Sequence, residues 1–147
     1  MNKNDNINIT IDDLRALFSK EHNQEAPSIE TWKRFYSDDV LFQDPTQKTI
    51  GIYNYIDAQN KLVKRCKSVY LKPHNILLDD SCAFIEWTMI LKISSLNFVY
   101  DGTTRLIFGT DGKIKHHRDY FDFISSTFGP VPFLGTFFNW LYKRFVS

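Results

Sequence analysis

Two short segments hold the side chains best suited to proton transfer. Asp44 precedes Pro45 at the end of Val40-Leu41-Phe42-Gln43-Asp44, and His117 and Asp119 stand two apart in His116-His117-Arg118-Asp119-Tyr120-Phe121-Asp122. Alternate residues of a strand share a face, so Val40, Phe42 and Asp44 point together. By the same rule His117, Asp119, Phe121 and Phe123 share one face, while His116, Arg118, Tyr120 and Asp122 take the other. Desolvation in an apolar wall makes a carboxyl usable as base or acid near neutrality. Two acids in one cavity can divide the roles of base and acid, and an imidazole, titrating ordinarily near ~6.5, is a third proton carrier. Such a set suits proton abstraction beside a carbonyl, aldol-type cyclisation or activation of water. Plainer roles exist for each group. Asp44 can cap the turn at Pro45, Asp119 can bond Tyr36, Tyr53 or a Trp indole, and His117 can be a satisfied wall residue.

The elements that must hold these groups follow from pattern and turn chemistry. Thr10 before Ile11-Asp12-Asp13-Leu14 is an N-cap with an acidic first turn, opening a helix that ends near His22. Pro27-Ser28 starts a second helix, Ile29 to Tyr36, with Trp32, Phe35 and Tyr36 inward. Ser37-Asp38-Asp39 is a turn into the Val40–Asp44 strand, which Pro45 stops. Gly51 opens the longest helix, in which Ile52, Tyr55, Ile56, Gln59, Leu62, Val63 and Cys66 keep helical spacing. From Ser68 the period becomes two, giving strands Val69–Leu78, Cys82–Ile93, Asn97–Phe108 and Lys113–Ile124 joined by short turns. Asp111-Gly112 is the strongest hairpin signal among them. Helices first and a meander last give an α+β class.

Composition narrows the function classes. The 147 residues fit one domain, and 18 Lys+Arg against 17 Asp+Glu leave a formal charge of +1, without the basic field of a nucleic-acid binder. Aromatics reach 16%, enough for a large core or an apolar pocket. No phosphate loop, dinucleotide fingerprint, nucleophile motif or metal-ligand cluster is present, so neither cofactor nor metal is expected. Adjacent His116 and His117 face opposite ways and make no metal pair. Cys66 and Cys82 lack zinc spacing and suit a reducing, cytoplasmic setting, with a single disulfide as the other reading. Residues 1–9 form a polar leader expected to be mobile.

The helix–strand order and two motifs resemble the NTF2-like superfamily, in particular its SnoaL-like and ketosteroid isomerase-like members. Tyr36-Ser-Asp-Asp-Val-Leu-Phe-Gln-Asp44-Pro45 resembles the isomerase segment whose Asp-Pro pair holds the general base. Asp111-Gly-Lys-Ile-Lys-His-His-Arg-Asp119-Tyr-Phe-Asp122 resembles the last strand of limonene epoxide hydrolase, in which the matching Asp is an acid/base residue. The resemblance covers most of residues 10–124. It implies a cone of three helices packed on a strongly curved, mostly antiparallel sheet, with Asp44 and Asp119 in the cavity and Trp87, Met89 and Leu91 on one wall. It also exposes departures. The isomerase's protonated acid falls at Thr104, its tyrosine falls among Leu14 to Phe18, and the hydrolase's Arg and second Asp fall at Trp87 and Met89.

These readings give a pocket protein for an apolar small molecule, with Asp44, Asp119 and His117 as catalytic candidates. Trp32, Phe42, Tyr53, Tyr55, Trp87, Met89 and Phe121 are the candidate pocket residues. The reaction classes are isomerisation, cyclisation or hydrolysis; the alternative is a non-catalytic ligand-binding or protein-association module. A homodimer through the open sheet face is expected. Residues 125–147 extend the domain. The stretch from Phe123 to Tyr142 has no charge, but its glycines and prolines disfavour a membrane span. Within it Thr136 caps a helix with Phe137, Trp140, Leu141 and Arg144 on one side and Phe138, Tyr142 and Phe145 on the other. Such a helix must be covered by the cavity mouth, by a second subunit, or by a membrane interface with Lys143 and Arg144 near head groups. The first two are favoured, so membrane association is not expected.

Overall fold

A computed structural model describes residues 7–21 and 24–146. The chain runs α1 (Ile11–Leu17), α2 (Ile29–Phe35), β1 (Tyr36–Gln43), β2 (Lys48–Ile50), α3 (Ile52–Arg65), β3 (Ser68–Leu78), β4 (Cys82–Ile93), β5 (Leu96–Phe108), β6 (Ile114–Phe121), α4 (Phe123–Phe128) and α5 (Leu134–Phe145). The strands form one curved, open sheet in the order β2-β1-β6-β5-β4-β3. Among the described residues only the β1–β6 pair is parallel. It brings the first strand beside the last, and the core collects on the concave face of the open sheet.

Local chemistry explains most boundaries. Thr10 accepts the Asp13 amide while the Asp13 carboxylate accepts the Thr10 amide, a complete capping box at α1. That helix stops at Leu17, and Lys20 makes an isolated antiparallel bridge to Leu71 of β3. The expected end near His22 lies outside the described residues. Ser37–Asp39, expected as a turn, is strand, and α2 hands over directly to β1 at Tyr36. Gly112 has φ 77°, and a Cβ there would stand 2.0 Å from the Ile7 carbonyl oxygen. Only glycine allows this hairpin tip to take up the N-terminal segment.

The core is aromatic and aliphatic, with Leu14, Phe18, Trp32, Phe35, Tyr36, Val40, Phe42, Tyr55, Ile85, Trp87 and Leu106 buried. Gly102 sits opposite Trp87 in the β4–β5 register. A Cβ on Gly102 would lie 2.5 Å from the indole ring, so the missing side chain is the space that the ring occupies. Cys66 and Cys82 are both free thiols, and burial pushes the Cys66 thiol upward.

Beyond β6 the expected strand is too long. It ends at Phe121 because the Asp122 carboxylate accepts the Ser125 amide and caps α4. Helix α5 begins at Leu134, two residues before the expected cap Thr136, with Phe133 in the left-handed region at φ 70°.

Candidate functional site

The helices and the concave sheet face enclose a cavity of about 460 Å³. Its wall includes Phe18, Trp32, Tyr36, Phe42, Tyr55, Trp87, Met89, Leu91, His117, Asp119 and Phe121. The exposed lining residues Gln47, Lys61 and Arg65 mark a polar mouth. An apolar interior with few convergent polar groups is the usual form of a small-molecule site.

One hydrogen-bonded chain crosses this cavity. Tyr55 and Tyr36 join their hydroxyls at 3.3 Å. The Tyr36 hydroxyl meets His117 Nδ1 at 2.9 Å, and His117 Nε2 meets Asp119 Oδ1 at 2.8 Å. Thr104 donates its hydroxyl to the same Oδ1 at 2.5 Å and accepts the Trp87 indole N–H at 2.8 Å. The sheet order explains the sequence of links. Tyr36 is on β1, His117 and Asp119 on β6, Thr104 on β5 and Trp87 on β4, four strands that are neighbours in that order. Thr104 and Asp119 are register partners, and the indole reaches diagonally past Gly102 to Thr104.

The donor inventory fixes the directions. An indole N–H only donates, so the Thr104 hydrogen goes to Asp119 Oδ1. A carboxylate accepts, so His117 Nε2 carries a hydrogen. With neutral imidazole, Nδ1 accepts from Tyr36 and Tyr36 accepts from Tyr55. With imidazolium, Nδ1 donates, both hydroxyls turn round, and the Tyr55 hydrogen is released toward the cavity. Every hydrogen bond to Asp119 among the described residues falls on Oδ1, and the side chain keeps 18% exposure. Burial, then the neighbouring Tyr55 and the Asp119 charge, raise the Tyr36 phenol well above its ordinary value. Burial and the Asp119 charge likewise raise Tyr55, against a smaller lowering by its bond to Tyr36. Both phenols therefore stay protonated as donors.

The expected residues divide. Asp119, His117, Trp32, Phe42, Tyr55, Trp87, Met89 and Phe121 all line the cavity. Tyr53 does not: it is 61% exposed under the Lys33 ammonium, because two helix positions put it nearly opposite Tyr55. Asp44 lines the cavity too, but its Oδ1 accepts the Thr46 amide and hydroxyl and the Gln47 amide, and its Oδ2 accepts the Gln47 side-chain amide. Pro45 forces a turn here, and the carboxylate anchors it instead of reaching inward. His116 is exposed on the outer face. Tyr36 and Thr104 are chain members that sequence reading did not place at the site. Thr104 stood only at the position where the resemblance puts an acid. Tyr36 enters the sequence reading as the inward-facing end of a helix and as a possible partner of Asp119; the structure links the two through His117.

The family described as "Uncharacterized conserved protein (DUF2358)" matches residues 5–117. The chain belongs to this family. No curated protein matches the sequence. Among solved structures, this DUF2358 chain is similar to a SnoaL-like polyketide cyclase from a Jannaschia species, at 11% identity and TM-score 0.61 over 70% of this chain and 78% of that one. It is similar to an epoxide hydrolase of the limonene type from M. tuberculosis, at 20% identity and TM-score 0.57 over 80% and 84% of the two chains. A protein of ketosteroid isomerase-like fold from Catenulispora acidiphila matches at 15% identity and TM-score 0.58, over 65% and 75%. At these identities the likeness shows the fold, and the DUF2358 chain has the NTF2-like cone expected from its sequence.

Proposed function

We propose that this DUF2358 protein binds an apolar small molecule in the cone and moves a proton on it, as an isomerase, cyclase or hydrolase. The observation that carries the reading is the hydrogen-bonded chain from Tyr55 to Asp119 along the wall of a largely apolar cavity with a polar mouth. Asp119 is the base, through Oδ2, while Oδ1 is held by Thr104 and His117. Tyr55 is the donor to the oxygen that gains charge. In an enolisation the substrate C–H proton goes to Asp119, and the oxygen takes a proton from Tyr55. Tyr55 is refilled by Tyr36 and Tyr36 by the His117 imidazolium, so one proton is gained and one lost by the protein. Asp44 holds the turn at the mouth and takes no part. The polar mouth leaves room for one polar end of the ligand. A second copy packs on the outer sheet face, where Phe84, Val99 and Tyr120 are exposed.

The test is proton exchange at the α-carbon of apolar ketones in deuterated buffer, followed by proton NMR. The expected result is exchange by the native chain and a loss of roughly 10²- to 10⁴-fold in Asp119→Asn. A ligand that raises the melting temperature while its protons do not exchange, and whose epoxide analogue is not opened, reduces the protein to a binding module. Equal rates in the native chain and Asp119→Asn remove Asp119 from the chemistry.

A further inference from the structure

The C-terminal arm is the one large aromatic feature that the cavity does not absorb. No residue of α5 lines the cavity, so the arm is not its plug. Its main partner is α4, through the Phe128–Phe138 stack at 4.7 Å and a glycine contact in which a Cβ on Gly135 would meet Gly129 at 2.9 Å. The opposite side is open. Phe133, Phe137, Trp140 and Arg144 recur at spacings of three and four and form a single exposed stripe. Phe133 is 89% exposed, and its positive φ is a conformation that glycine would adopt more easily.

We propose that this arm docks on an anionic lipid surface, with α5 lying in the plane of the interface. Three features select that occupant. From Phe123 onward the sequence has no Asp or Glu, and its only charges are Lys143 and Arg144. Lipid phosphates would answer this pair of cations directly. Trp140, on the exposed stripe, is a residue type that settles at the head-group level. No helix among the described residues is long and apolar enough to cross a membrane, so α5 would lie on the surface. The arm stands next to the pocket. Phe123 at the start of α4 lines the cavity, and Thr127 hydrogen-bonds Tyr100 of β5 at 3.0 Å. Docking would thus hold the Phe123 side of the cavity close to a lipid phase.

The tryptophans supply the readout. Trp32 and Trp87 are buried and Trp140 is 57% exposed, so lipid contact alters mainly the emission of Trp140. Full-length protein is mixed with phosphatidylcholine vesicles, with or without phosphatidylglycerol, and followed by flotation and tryptophan fluorescence. The expected result is flotation with the anionic vesicles and a blue shift that Trp140→Phe removes without loss of flotation. Removing the lipid charge, or the double change Lys143→Ala with Arg144→Ala, weakens binding by roughly thirtyfold. Circular dichroism checks that each variant is folded. Equal binding to neutral and anionic vesicles overturns the proposal. So does absence of flotation, or a lipid-free dimer that Phe133→Ser with Trp140→Ser dissolves in light scattering. None of these readouts depends on the cavity chemistry.

Discussion

The cone and the arm are built from the same aromatic residues and treat them in opposite ways. In the cone, rings are enclosed and their polar atoms are paired: the Trp87 indole bonds Thr104, and the Tyr36 and Tyr55 hydroxyls bond each other. In the arm, Trp140, Tyr142 and Phe145 stand in solvent on a helix whose main support is one six-residue neighbour. A ring contributes to stability by the area that it removes from water, so aromatic content measures nothing until placement is known. The difference also separates two kinds of work. Enclosed rings can hold a polar chain in fixed geometry, and open rings are available to an external surface.

Paired substitutions make the comparison breakable. Trp87→Ala is expected to cost about 3–5 kcal/mol and Trp140→Ala within about 0.5 kcal/mol, measured by urea unfolding. Equal costs would mean that the arm is packed as a core. Gly102→Ala is next, at about 1–3 kcal/mol, since the new Cβ would strike the Trp87 ring. It should also shift the near-ultraviolet dichroism of that indole. Tyr36→Phe, in the middle of the chain, is expected to cost about 1–2 kcal/mol by leaving His117 Nδ1 and the Tyr55 hydroxyl without their partner. Tyr55→Phe, at the end of the chain, should cost less, and a reversed order would mean that the two hydroxyls are not linked in series.

The smallest effects are those of pH, and they have opposite signs in the two regions. Tyr36 and Tyr55 are raised above an ordinary value of 10.0. Above that pH the unfolded chain releases protons that the folded pair keeps. Stability from the pair is therefore whole below about pH 10 and falls as pH rises. Asp122 is lowered from 3.8, first by the Ser125 amide that it accepts. Its contribution is whole above that value and disappears as pH falls through the lowered one, unfastening α4. Denaturant midpoints at the alkaline end, in native protein and Tyr36→Phe, test the first. Helical dichroism at the acid end, in native protein and Asp122→Asn, tests the second.

Much of the fold could be read from local pattern. The capping box at Thr10, the helix after Gly51, the Asp111-Gly112 hairpin and the period of two after Ser68 each have a local cause. The failures were places where a distant partner decided. Lys20 lies beyond its helix and pairs with Leu71, and Ser37–Asp39 are strand between Tyr36 and Leu41, which both pair with β6 across a register shift. At the site, parity alone put His117, Asp119 and Phe121 on one face. It could not distinguish Tyr53 from Tyr55 as the ring that turns inward, nor choose between the cavity role and the turn-capping role that Asp44 next to Pro45 equally allows.

The amino-acid order by itself therefore determined the class of the fold, the inward face of β6 and the aromatic character of the tail, because these rest on periodicity and on neighbours a few residues apart. The tertiary structure decided which polar groups meet. Tyr36 and His117 are 81 residues apart, and Thr104 and Asp119 are 15 apart. Their contacts exist because β1, β6, β5 and β4 lie side by side in that order. A hydrogen bond depends on a few tenths of an ångström and a direction, and those are fixed by strand register and by the missing side chain of Gly102.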